Sequence, residues 1–231
     1  NIYSAEIRSE QEAVEKIYAD ESNYPKKISG DAEDPQTGLV IMNYDGRIAV
    51  TIGGRGLKTA SRIQNRSTQT TRQPGSAIKP LSVYALSLQY NLVHYSSLVR
   101  DCYITLPNGR RWPTNYRASL RDNGDVLLNY AIQDSLNTVP ARLLQTLTPK
   151  NSFDFMTGTL GFSHMYKTYR TEDGRVLTDM DMAPLALGAL TEGVTVKEMC
   201  AGYQIFGNGG VYNNEDDTSF WGGAGGDGYY G

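Results

Sequence analysis

Long apolar runs, basic clusters and metal-type residue groupings are all missing from this 231-residue chain. No apolar stretch approaches the roughly 20 residues needed to cross a bilayer. No basic-then-apolar leader opens the sequence. Lys and Arg number 22 against 25 Asp and Glu, a net charge of −3, so nothing suggests nucleic-acid binding. The two cysteines, Cys102 and Cys200, lie far apart without metal-type spacing and are expected to be buried free thiols. The two histidines, His94 and His164, are isolated. With no His/Cys/carboxylate cluster, neither a metal site nor another cofactor is expected.

The 39% apolar content and 24 glycines suit a soluble, loop-rich globular chain of one large domain or two small ones. Residues 1–36 are polar and read as a linker with a helix over 12–18, its Ala13, Val14 and Ile17 inward. Residues 38–53 predict a β-hairpin around Asp45-Gly46. Residues 54–75 read as irregular, and 101–126 as a loop region with a turn at Pro107-Asn108-Gly109. Residues 126–147 predict two helices with a turn over 134–137. A short helix over 149–162 should end at Gly161, and 170–178 should form a small hairpin around Asp173-Gly174. A last helix over 195–206 places Val196, Met199, Cys200 and Tyr203 on one face. The Gly/Tyr-rich tail, 213–231, is a poor candidate for packed structure.

The most informative stretch is Arg72-Gln73-Pro74-Gly75-Ser76-Ala77-Ile78-Lys79-Pro80. Ser and Lys three apart meet on one helical face. A hydroxyl is a poor nucleophile until a base takes its proton, and a lysine can be that base when burial lowers its pKa. Ser-x-x-Lys alone is weak, since about one occurrence is expected by chance at this length. The context is stronger. Gln73 is biased to an extended conformation by Pro74, Gly75 permits a sharp turn, and Pro80 is tolerated only in a first turn. The helix therefore begins near Ser76 and runs to about Leu92, with Ile78, Leu81, Ala85, Leu88 and Leu92 as its apolar stripe. Ser76 then stands beside free N–H groups, a good place for a developing oxyanion; the competing reading makes it only an N-cap.

A second candidate is Ser135-Leu136-Asn137, whose hydroxyl and amide could point into one cleft. On their own these residues are equally ordinary turn and capping choices. Met156-Thr157-Gly158-Thr159 has the outline of a Lys-Thr-Gly-Thr strand but lacks the cation, and reads as a helix terminus. Gln36-Thr37-Gly38 reads as the turn that opens the hairpin.

In order, these segments resemble the penicillin-binding proteins, most closely the transpeptidase domain of the bifunctional (class A) type. The resemblance is carried by Asp34-Pro35-Gln36-Thr37-Gly38 with the hairpin and Gly53-Gly54, by Asn65-Arg66, and by the segment from Arg72 to Pro80. It continues through Pro113-Thr114-Asn115-Tyr116, Ala131-Ile132-Gln133-Asp134-Ser135-Leu136-Asn137 and Leu185-Ala186-Leu187-Gly188. It ends with Ala201-Gly202-Tyr203 and Asn208-Gly209-Gly210-Val211-Tyr212. It implies a mixed α/β (α+β) fold, a mostly antiparallel sheet flanked by helices, with residues 37–212 as a truncated transpeptidase domain. It makes Ser76 the acylated nucleophile and one oxyanion N–H donor, Lys79 its base, Ser135 a proton shuttle and Asn137 a binder of the substrate amide. The implied partners are D-Ala–D-Ala stem peptides of peptidoglycan and β-lactams. The implied location is the outer face of the bacterial cell membrane, with membrane contact only through segments outside this sequence.

One departure limits the expectation. The family's third motif, Lys-[Thr/Ser]-Gly, is not found after Tyr212. That motif supplies a cation for the substrate carboxylate and a second oxyanion N–H, so weakened activity and an incomplete sheet are expected of the isolated chain. Two alternatives stay open. One is a hydrolase of carboxypeptidase or β-lactamase type, against which no Glu-x-x-x-Asn pattern follows Asn137. The other is a non-catalytic binding or regulatory module on the same scaffold.

Overall fold

The structure, a computed structural model, describes residues 4–26, 34–58, 60, 63–117 and 124–212. The expectation for the 213–231 tail lies outside the described residues. In chain order the elements are α1 (Arg8–Ala19), β1 (Leu39–Met42), β2 (Ile48–Ile52) and α2 (Arg66–Gln69). A composite helix follows: a 3-10 turn (Gly75–Ile78), a π-helical segment (Pro80–Ala85) and α3 (Leu86–Gln89). Then come β3 (Leu98–Arg100), β4 (Ile104–Thr105), β5 (Arg111–Trp112), β6 (Asp125–Leu127), α4 (Leu128–Gln133), α5 (Thr138–Leu147) and α6 (Pro149–Asp154). The last are β7 (Tyr169–Arg170), β8 (Val176–Leu177), α7 (Met182–Leu187) and α8 (Val196–Tyr203). The fold is mixed α/β with short antiparallel sheets, and among the described residues these are four two-stranded ladders: β1–β2, β3–β6, β4–β5 and β7–β8. The chain divides into two compact units, residues 1–72 with 194–231, and residues 73–193.

In the first unit, β1 and β2 form the expected hairpin, with Gly46 in the left-handed region (φ 86°) at its turn. Helix α1 packs on β2 and α8 on β1. Ile7 N–H donates to Ala49 O at 3.0 Å. The Gln11 side chain donates to Thr51 O and accepts from Thr51 N–H, both at 3.0 Å. The inward residues of α1 therefore differ from expectation: Gln11 is buried, whereas Ala13 and Ile17 are exposed. Helix α8 is also rotated. Thr195 and Glu198 form a reciprocal capping box that draws Glu198 into the interior with Ala201 and Gly202, leaving Tyr203 exposed.

In the second unit, the helix expected to run from Ser76 to Leu92 ends at Gln89 and is not uniformly α. Pro80 has no N–H for Ser76 O, which instead accepts from Lys79 N–H and closes the 3-10 turn. The wider π segment then shifts the phase of the apolar stripe. Ile78, Leu81, Val83, Tyr84 and Leu86 are buried, while Leu88 and Leu92 face outward. The region expected to be loop over 101–126 holds β4, β5 and the start of β6. Neither α2 nor α7 was expected from the sequence. Both cysteines are free, as expected, but only half-buried. A core of Tyr84, Val93, Val99, Leu128, Ala131, Leu136 and Val139 ties the composite helix to β3, α4 and α5.

Candidate active site

Gly75 starts the turn that carries Ser76 in the left-handed region, φ 53°, where a side chain would be strained. The turn is held from two sides. Gln73 donates from Nε2 to Leu190 O at 2.7 Å and accepts from Leu190 N–H at 2.8 Å. Gly188, at the end of α7, is so close that a Cβ there would lie 2.2 Å from Gly75 O. One turn on, the buried Ser82 hydroxyl donates to Leu185 O at 2.6 Å, and Ser152 donates to Ser82 O at 2.6 Å. Ser76 itself is exposed, and its hydroxyl has no hydrogen-bond partner among the described residues.

Lys79 is 2% exposed. Its Nζ donates to Ser135 O at 2.9 Å, Leu136 O at 3.2 Å, Asn137 Oδ1 at 2.6 Å and Ser135 Oγ at 3.3 Å. An ammonium has three protons, so these four acceptors share them. Burial lowers the amine from its ordinary 10.5 to about 8. A lysine acting as base between the two hydroxyls would reach both Ser76 and Ser135; among the described residues this amine reaches Ser135 and makes no hydrogen bond to Ser76.

The turn that presents Ser135 and Asn137 is the C-terminus of α4. Leu136 N–H donates to Ala131 O at 2.9 Å and Ser135 N–H to Ile132 O at 3.1 Å, the paired bonds of a Schellman motif. That motif places its C′ residue in the left-handed region, usually as glycine, and here the residue is Ser135 at φ 51°. A non-glycine residue there costs roughly 1–2 kcal/mol. Leu136, the next residue, is buried in the core and locks the turn.

A carboxylate that sequence reasoning missed orders the same turn. Asp101 is 3% exposed and accepts from Asn115 Nδ2 at 2.8 Å and from the Thr138 hydroxyl. With its amide so oriented, Asn115 Oδ1 accepts from Asn137 N–H at 2.7 Å and Thr138 N–H at 3.2 Å. Asn137 Nδ2 donates to Thr114 O at 2.7 Å. Asp101 lies 14 residues from Asn115 and 37 from Thr138. The one available signal was an aspartate inside an otherwise polar loop, which is too common to single out.

Ser76, Ser135 and Asn137 line one cavity of about 770 Å³, together with Asp101, Asn115, Tyr130 and the cation Arg117. Lys79 is hydrogen-bonded to two of the three, Ser135 and Asn137. The arrangement offers a hydroxyl at the start of a helix with no partner among the described residues, a second hydroxyl, a carboxamide and an amine lowered by burial to about 8. Serine acyl-transfer chemistry calls for groups of these kinds.

The family model for the penicillin-binding protein transpeptidase domain matches residues 28–215. The chain is 31% identical over 180 residues to penicillin-binding protein 4 of Bacillus subtilis, covering 78% of this chain and 26% of that protein. Against the crystal structure of penicillin-binding protein 1A from Haemophilus influenzae it has 29% identity and a TM-score of 0.60, over 78% of this chain and 24% of the other. The PonA1 protein of Mycobacterium tuberculosis, solved in complex with penicillin V, shares the fold at a TM-score of 0.66, with 21% identity over 93% of this chain and 53% of that one. The chain spans about a quarter of the length of the curated relatives it matches. By the extent of that match, the chain belongs to the penicillin-binding protein transpeptidase family.

Proposed function

We propose that this chain carries the acylation half-site of a peptidoglycan DD-transpeptidase of the class A type. The observation that carries the reading is the Lys79 amine held against Ser135 and Asn137, one helical turn from Ser76. At about 8, roughly a tenth of the amine is neutral at pH 7. The neutral amine takes the Ser76 proton as Oγ attacks the carbonyl of the penultimate D-Ala. The Ser76 N–H donates to the resulting oxyanion. Collapse breaks the peptide bond, and the terminal D-Ala amine receives a proton from Lys79 relayed through Ser135. Asn137 holds the stem-peptide amide. An amine from another stem peptide then takes the acyl group and frees Ser76. β-Lactams acylate the same oxygen. The site works on the outer face of the cell membrane, and residues 37–212 are the transpeptidase portion of the chain.

A non-catalytic module on the same scaffold is the second reading, favoured by the absence of a Lys79–Ser76 hydrogen bond among the described residues. Intact-mass spectrometry with a labelled penicillin separates the two. Slow addition of one penicilloyl group, mapped to Ser76 and lost in Ser76→Ala, supports the acyl-enzyme. A folded chain that never acquires the label refutes it. Stoichiometric labelling within seconds refutes the expected weakening.

A further inference from the structure

The first unit contains a cavity of about 580 Å³ between the end of β2 and the segment leading into α2, within the usual range for small-ligand sites. Among the described residues three cations line it, Arg55, Lys58 and Arg66, against one carboxylate, Glu15. Arg55 is already neutralised, since it pairs with Glu21 at 2.5 Å, approaches Asp34 at 3.9 Å and lies over the Tyr24 ring. Arg66 is different. The residue is half-buried, and its guanidinium has no hydrogen bond or ion pair among the described residues. Glu15 accepts from Gln11 at 2.9 Å and does not meet it.

Space has been left beside that guanidinium. A Cβ on Gly54 would stand 3.3 Å from Arg66 Nη1 and 3.7 Å from Gln36 Oε1, so glycine keeps open the approach to a cation and an amide together. At the rim, Leu57 and Ile63 are 78% and 50% exposed, while buried Ile52 forms part of the wall. An unpaired planar fork of donors selects a carboxylate by two parallel hydrogen bonds. An amide beside it suits a peptide group, and the apolar rim suits a hydrocarbon side chain.

We propose that this cavity binds the carboxylate terminus of a peptide bearing an apolar side chain, with Arg66 as the bidentate anchor and Lys58 as a supporting charge. The site stands apart from the acyl-transfer reading and survives or fails without it.

Titration of the isotope-labelled chain with N-acetyl-L-leucine, followed by amide and guanidinium NMR shifts, tests the assignment. A dissociation constant on the order of 1 mM is expected for so small a probe, with shifts at Gly53, Gly54 and Arg66. The carboxamide analogue should bind at least about tenfold more weakly, as should the acid to Arg66→Gln. Gly54→Ala, which keeps every charge, should also weaken binding. Ser76→Ala should leave it unchanged. Equal binding of acid and carboxamide, or of wild type and a folded Arg66→Gln, overturns the proposal. So do inorganic phosphate binding as tightly as the probe, loss of binding in Ser76→Ala, and no shifts up to about 20 mM probe.

Discussion

Replacing Lys79 by Met should change how the fold responds to alkali. The unfolded amine titrates near 10.5 and the folded one near 8, because burial disfavours the charge. Below pH 8 both states carry the proton, and the cost of burying it is fully present. Between pH 8 and 10.5 the folded protein has released the proton while the unfolded chain still binds it. Unfolding then takes up a proton, and stability rises with pH. Above 10.5 the amine is neutral in both states and the gain is complete. A gap from 10.5 to about 8 corresponds to about 3 kcal/mol. Phenols ordinarily titrate near pH 10, inside the same window, and the chain has 16 tyrosines, so the wild-type curve alone is uninformative. Urea unfolding of wild type and Lys79→Met at matched pH from 6.5 to 11 removes that background by difference. The wild type should gain about 3 kcal/mol on the variant across pH 8–10.5. A flat difference through that window, with unchanged m-values, would refute burial as the cause and remove the basis for a partly neutral base at pH 7.

Other expectations follow from backbone and core. Ser135→Gly and Ser135→Ala both lose the hydroxyl, but only glycine relieves φ 51°; the glycine variant should be more stable by about 1 kcal/mol in urea, and equal stabilities would deny the strain. Gly188→Ala places a Cβ 2.2 Å from Gly75 O at φ 73°, so a loss of about 3 kcal/mol or more is expected by thermal unfolding, and a loss below about 1 kcal/mol contradicts the close packing. The buried Tyr84 hydroxyl has no hydrogen-bond partner among the described residues, and burial pushes its pKa up. Tyr84→Phe should therefore stabilise the fold by about 1 kcal/mol, and destabilisation would mean an unseen partner.

Short-range chemistry was readable in the sequence and long-range pairing was not. Asp45-Gly46 and Asp173-Gly174 mark hairpins because a glycine with positive φ decides the turn locally. The turn over 134–137 was readable from the break in helical spacing. The phase of the composite helix was not, because Pro80 starts a π segment that no period-3.6 pattern anticipates. The inward face of α1 was misread because Gln11, a polar residue, is drawn in by the Thr51 backbone. At the candidate site, Ser76, Lys79, Ser135 and Asn137 stand in recognisable local patterns. Asp101 does not, since its role depends on partners brought to it by the pairing of β3 with β6 and the packing of α5. The left-handed Ser135 was hidden for the opposite reason: the motif asks for glycine there, and the sequence offers none.

The Gln11 amide also governs how the hairpin can grow. By filling both hydrogen-bonding positions of Thr51, while Ile7 fills that of Ala49, it gives the outer edge of β2 a false strand one residue wide. An incoming strand finds the Thr51 donor and acceptor and the Ala49 acceptor already engaged, which disfavours templated aggregation from that side. Extension of this sheet past β2 is thereby disfavoured. Gln11→Ala should expose the Thr51 N–H to rapid hydrogen exchange and open that side.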